Sequence, residues 1–389
     1  MMYPSTNCVG SLLHVVSWFF LAAVLFFIGI QQNGLKRRWT ACLHLFSSCL
    51  CLTAYGLNNH PARRNQDPFP EYVVAFYIGW TVHTMGVLLY NHNSSSQLSS
   101  FLLPQRLRAI VLLWIDFRDI QAVQDATIPQ PRILHSRCRI SFGLVRLRQA
   151  LIFLASEHIL TQHFARPWLD SLQLTLDDFA PCNQRLLPSL TQRSLALRAI
   201  VSTQWIWTTY FHLSAAHNLC AFFFVSVFGW SIQSDWPPLY SSILLAPCLR
   251  RFWGKFWHRL HVAPFSRFIH EISSHMRKTN PSEHSSLPRN ALYSFLIFFL
   301  SAWCHGMVDL IVYHQITFMR QVEFFCLNWL MCLIETMVDR IAAEDWLLVK
   351  HANRGKTVDR LRRVAGYMYV FTFFFCAAPR WRYPIVYNK

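Results

Sequence analysis

Residues 199–229 contain no Lys, Arg, Asp or Glu. Seven further blocks are similarly apolar: residues 11–30, 40–57, 71–90, 148–164, 290–314, 317–338 and 365–378. A helix of about 20 apolar residues crosses the ~30 Å hydrocarbon layer, where lipid offers unpaired backbone groups no partner. With 53% hydrophobic and only 14% charged residues among 389, a set of soluble domains is excluded. The expected fold class is an all-α polytopic membrane protein with about eight transmembrane helices, seven to nine being defensible. Residues 199–229 are too long for one upright span and short for two, so a tilted or broken helix is expected there. No internal repeat, Gly-rich phosphate loop or soluble segment interrupts the pattern, and residues 1–389 read as one integral membrane domain.

The net charge is +17, from 36 Lys and Arg against 19 Asp and Glu. These charges flank the apolar blocks, where they set topology and meet anionic membrane lipid, so nucleic acid is not an expected partner. Residues 1–10 carry no Lys or Arg, unlike a cleaved signal peptide, and the first block reads as a retained helix. Lys36-Arg37-Arg38 after that block puts the N-terminus outside the cytosol, although Arg63 and Arg64 then fall on the outer side. A Pro-rich turn is expected at 60–70. Residues 91–145 are polar and basic, and 107–120 within them suit an amphipathic surface helix. Asn93-Ser94-Ser95 is a glycosylation sequon that matters only on the lumenal side. The twelve cysteines show neither CxxC pairs nor Cys/His ligand spacing, so no metal site is expected.

Two stretches can carry chemistry. In residues 249–261 an α-helix starting after Pro247 would align Arg251, Lys255 and Arg259 in a basic stripe. Phe252 with Phe256, and Trp253 with Trp257, would share adjacent faces, and His258 would lie one turn from His261. Upstream, Trp236-Pro237-Pro238 cannot be helix interior and reads as an interfacial turn. One reading of the stretch is an aromatic-belt membrane anchor; the other is a site for an anionic substrate.

In residues 290–314, Ser301, His305 and Asp309 recur every four residues on one helical face. Ionisable groups inside a span are costly unless they face protein or water, which marks them as functional candidates. Asp309 can accept from one nitrogen of His305 and leave the other as a base. A hydrolase triad is disfavoured, because three side chains on one straight helix do not converge on one imidazole. A packed polar contact between helices is the simpler alternative. His14, His44, His83, His158, His212, His217 and His314 also lie in apolar blocks, but without the paired spacing of haem ligands. Glu335 sits deeper than Asp339, its neighbour one turn on, for which structural pairing is expected.

Taken in order, Trp236-Pro237-Pro238-Leu239, Leu249-Arg-Arg-Phe252-Trp253-Gly254-Lys-Phe-Trp257-His258 and Ser301-Ala-Trp-Cys-His305 resemble the wax synthase-like branch of the membrane-bound O-acyltransferase superfamily. The likeness covers residues 235–309, the motif-bearing core, and fades toward the C-terminus, where it takes in Glu335. Phe256 stands where that branch has a basic residue, and Ala302 where it has Gly. The resemblance implies a ring of tilted helices around an acyl-transfer tunnel, with no bound cofactor and no metal. Acyl-CoA, acetyl-CoA above all, would be co-substrate and an apolar alcohol the acceptor. His305 would be general base and His258 would polarise the thioester carbonyl, with Ser301 and Asp309 in support. Arg251, Lys255 and Arg259 would meet the CoA phosphates, while Trp253 and Trp257 would wall the tunnel. Fungal proteins of this kind acetylate terpenoid or meroterpenoid alcohols, which implies an endoplasmic reticulum location. Wax ester or sterol ester synthesis, a transporter or receptor, and a haem protein remain as alternatives.

Overall fold

The computed structural model describes residues 8–58, 69–90, 102–115, 136–187, 191–277, 287–348 and 356–387. Ten helices carry the described chain: α1 (Cys8–Gly29), α2 (Gly34–Asn58), α3 (Phe69–Tyr90), α4 (Leu103–Ile115), α5 (Ser136–Ile159), α6 (Gln192–Ala221), α7 (Val262–Arg277), α8 (Leu287–Tyr313), α9 (Phe318–Leu348) and α10 (Lys356–Tyr387), joined by shorter turns. No strand occurs among the described residues. The protein is an all-α polytopic integral membrane protein. Five helical stretches are long and apolar enough to cross a bilayer: Gly34–Leu57, Pro70–Tyr90, Gln192–Val227, Pro288–Tyr313 and Phe318–Ile341. Leu13–Gly29 is a shorter apolar helix. The expected spans 148–164 and 365–378 are helical, on α5 with its π-helical extension Leu160–Ala165 and on α10, but fall outside that apolar set. The sequon at Asn93, most of the Pro-rich turn and residues 116–120 lie outside the described residues.

The chain divides into two compact units. The first comprises residues 1–127 and 260–322. Here α1 and α2 form a hairpin packed against α3, so closely that a Cβ on Gly29 would meet Thr40 of α2 at 3.1 Å and Leu88 of α3 at 2.9 Å. One buried cluster joins Phe26, Ile30, Ala41, Val87, Leu88 and Ile110. Another joins Val74, Ile78, Phe265, Ile269, Cys304 and Val308. The second span begins at Gly34 rather than residue 40, which draws the basic triplet into its first turns. Arg37 is buried because its guanidinium donates to the Leu88 and Val87 carbonyls at 2.6 and 2.8 Å, in the last turn of α3. His44 bridges the Ala22 carbonyl and the Thr84 hydroxyl, at 2.7 and 2.8 Å, and His83 reaches the Leu113 carbonyl at 2.8 Å. Both imidazoles thereby satisfy polar groups buried between helices.

The second unit comprises residues 128–259 and 323–389. The long apolar run at 199–229 is one helix that widens into a π-helical stretch, Phe222–Val227, before Gly229 turns the chain at φ +65°. It starts at Gln192, seven residues before the apolar run. Arg198 is 1% exposed, and its guanidinium donates to the Asn183 and Arg185 carbonyls at 2.7 Å each. The Ser202 hydroxyl reaches the Phe374 carbonyl at 3.1 Å, tying α6 to α10.

Candidate functional site

In the second unit the stretch 231–259 is a series of short turns. Asp235 accepts from the Ile232 amide at 2.9 Å and closes the 3-10 turn Gln233–Asp235. Pro237 and Pro238 deny the chain two amide donors, so this turn is held from outside. Arg146 of α5 donates to the Trp236 carbonyl at 2.6 Å, His217 of α6 engages the Pro237 carbonyl at 3.0 Å, and the Trp236 indole donates to Ser231 at 2.8 Å.

A second 3-10 turn, Ile243–Leu245, leads to one α-helical turn, Leu249–Arg251, which widens into the π-helical turn Phe252–Phe256. The π-type bond from the Trp257 amide to the Phe252 carbonyl is 2.7 Å long, and Trp257 itself is extended. This corrects the expected α-helix through 261. Arg251 and Lys255 share the turn and are exposed, whereas Arg259 lies past the break, also exposed. His258 and His261 are not on a common helical face, and His261 belongs to the first unit. Burial pushes the His261 imidazole down to about 4. A Cβ on Gly79 would stand only 2.7 Å from it.

Phe252, Phe256 and Trp257 are buried and Trp253 half-buried. Trp257 stacks on Phe252 at 5.3 Å between centroids, and Trp205 of α6 lies 5.1 Å from Trp257. Phe374 of α10 packs on Phe252 at 4.9 Å. Phe256, where a basic residue was anticipated, is therefore an aromatic core residue and not an outward-facing group. His258 is half-buried at the rim of this cluster, 5.3 Å from the Trp257 ring and edge-on to Tyr240 at 5.7 Å. Tyr240 was not singled out from the sequence, although it directly follows the Trp-Pro-Pro-Leu element.

Ser301, His305 and Asp309 lie on α8 in the first unit, stacked on one face as their spacing requires. The Ser301 hydroxyl donates back to the Ile297 carbonyl at 2.9 Å, which turns its proton away from a nucleophilic role. His305 is half-buried between Cys304 and Gly306, both buried. Asp309, 4% exposed, accepts from the Thr317 hydroxyl and from Gln321 Nε2 at 2.6 Å. Its carboxylate thus ties the end of α8 to the start of α9. Thr317 and Gln321 were missed, although a buried carboxylate demands donors and a Thr and Gln four residues apart supply them. Gly306 lets Phe318 approach, since a Cβ there would stand 2.4 Å from its ring. Among the described residues, no three His, Cys, Asp or Glu side chains are grouped to hold a metal ion.

Residues 236–327 match the family described as membrane bound O-acyl transferase. The chain is similar to "Acetyltransferase spyB" of Aspergillus fumigatus, 26% identical over 41% of this chain and 28% of the relative. It is 25% identical to "Acetyltransferase nanB" of Aspergillus nanangensis, over 54% of this chain and 48% of that protein. "O-Mevalon transferase yanI" of Aspergillus niger is 24% identical over 42% of this chain and 37% of its own length. The chain thus spans less than half the length of each of these curated relatives. No solved structure matches. The resemblance read from the motifs is borne out: the match begins at Trp236 and includes both His258 and His305.

Proposed function

We propose, from the premise that residues 236–327 are of the membrane bound O-acyl transferase type, that this protein transfers an acyl group from acyl-CoA to the hydroxyl of an apolar secondary metabolite. Acetyl is the acyl group we favour, a terpenoid or meroterpenoid the acceptor, and the endoplasmic reticulum the location. The observation that carries this reading is the family match across Trp236-Pro237-Pro238, Phe252-Trp253-Gly254 with Trp257-His258, and His305, alongside relatives named acetyltransferases.

In this reading His305 takes the proton of the acceptor hydroxyl as its oxygen attacks the thioester carbonyl carbon. His258 donates to the carbonyl oxygen while negative charge gathers there. The new C–O bond stays, the C–S bond breaks, and the proton passes from His305 to the departing CoA sulfur. A thioester is already activated, so these proton transfers suffice. Arg251, Lys255 and Arg259, all exposed, would meet the CoA phosphates, where a contact to a charged group contributes about 1.5–3 kcal/mol. Trp253 and Trp257 would keep water from the thioester. Ser301 and Asp309 would hold the α8 face that carries His305.

The test is transfer from labelled acetyl-CoA and from labelled palmitoyl-CoA, by membranes containing the protein, to a panel of terpenoid alcohols. Acetyl ester formation is expected. Palmitoyl transfer alone would make the protein a long-chain ester synthase, and transfer from neither donor would overturn the reading.

A further inference from the structure

The stretch 248–253 is gripped from one side by α9. Asn328, Glu335 and Asp339 are spaced by seven and four residues, which places them on one helical face. Glu335 presents its carboxylate to two successive backbone amides: Oε1 accepts from Leu249 and Oε2 from Arg250, each at 2.8 Å. The side chains of Cys248 and of Tyr369 on α10 lie close to this carboxylate. The turn Leu249–Arg251 has no side-chain cap of its own, so Glu335 supplies from a distant helix what an N-cap residue supplies locally. Two turns away on α9, fully buried Asn328 accepts from the Trp253 indole at 2.9 Å, and its own amide donates to the Phe324 carbonyl at 2.8 Å. Asp339 pairs with the exposed Arg250 side chain.

Two fixed points set the rotation of a short turn. With the amides of 249 and 250 held at one end and the Trp253 ring at the other, the turn cannot roll. Phe252 and Phe256 stay buried, while Arg251, Gly254 and Lys255 stay exposed. Nothing packs within 4 Å of where a Gly254 Cβ would stand, so the exposed side of the turn is clear at its centre. Residues 328, 335 and 339 all lie beyond the segment matched to the family.

We propose that Glu335 and Asn328 are positioning residues for the acyl donor: they orient the 249–256 turn so that Arg251 and Lys255 face the CoA phosphates. The inference rests on the acyltransferase reading above. A purely structural role would lower protein yield and affect both substrates alike, whereas a positioning role acts on the donor.

The experiment measures steady-state kinetics of Glu335→Gln against wild type, with acetyl-CoA and an accepted alcohol varied separately, and direct acetyl-CoA binding to the purified proteins. The amide keeps the side chain's size but replaces one acceptor oxygen with a donor, so one backbone amide loses its partner. KM and Kd for acetyl-CoA are expected to rise about tenfold, with KM for the alcohol and kcat within about threefold, on the scale of one lost hydrogen bond to a charged group. Should Glu335→Gln fail to fold, Asn328→Leu removes the acceptor of the Trp253 indole and loosens the opposite end, and about a threefold rise in the same constants is expected. Unchanged acetyl-CoA constants in a folded variant, or equal losses on both substrates, would overturn the inference alone. Wild-type protein that neither binds nor transfers from acetyl-CoA would overturn the acyltransferase reading beneath it.

Discussion

His305 sits on an unbroken helix whose own backbone bonds fix its place, and neighbours such as Cys304 and Val308 are simply packed. His258 ends a run of 3-10 and π-helical turns whose shape is imposed by groups far away in sequence: Arg146, His217, Asn328, Glu335 and Tyr367, whose hydroxyl reaches the Leu244 carbonyl at 2.7 Å. A regular helix distributes its support over many equivalent bonds, and loses little when one contact changes. An irregular segment concentrates its support in a few side chains. The same chemistry, a histidine half-exposed among apolar groups, is therefore built in two ways with different sensitivity to distant substitution.

Two glycines separate these modes. Gly366 of α10 lies so close to the irregular segment that a Cβ would come within 2.2 Å of the Pro247 carbonyl oxygen, a backbone atom. At Gly306→Ala the nearest atoms are instead those of the Phe318 ring, a side chain that can move. Gly366→Ala is expected to destabilise the protein by about 2–3 kcal/mol, the upper part of the range for overpacking. Gly306→Ala should cost under about 1 kcal/mol, since the helix-propensity gain of alanine over glycine offsets part of the clash. Thermal unfolding of both variants in detergent checks the order; equal effects would erase the distinction.

The smallest expected effect lies at His314, which ends α8 in the left-handed region at φ +56°. Its amide bonds to the Leu310 carbonyl, and the Gln315 amide to that of Asp309, at 3.1 and 3.3 Å. Histidine tolerates this conformation, but glycine adopts it without the Cβ penalty. His314→Gly should leave stability unchanged or raise it by up to about 1 kcal/mol, reflecting that relief. A loss beyond about 1 kcal/mol in the same unfolding assay would mean that the imidazole itself supports the turn.

The sequence made the spans legible because an apolar block leaves a membrane chain few alternatives. It hid their starts at α2 and α6, where Arg37 and Arg198 look like loop residues until the carbonyls that receive them are seen. The stacking of Ser301, His305 and Asp309 was legible for the same reason: regular periodicity holds on a regular helix. The basic stripe failed at Trp257 because the π-helical turn and the extended residue after it depend on Glu335 and Asn328, more than seventy residues away. Motif order still identified the segment as chemically special where periodicity read its shape wrongly.

The most direct test of the account is His305→Ala, assayed for acyl transfer from labelled acetyl-CoA to an alcohol that the wild type accepts. Removing a general base costs about 10²–10⁴-fold in rate, while the regular helix keeps the protein folded and its yield near wild type. A rate within a few-fold of wild type in protein of normal yield would contradict the assignment of His305 and, with it, the mechanism built on that residue.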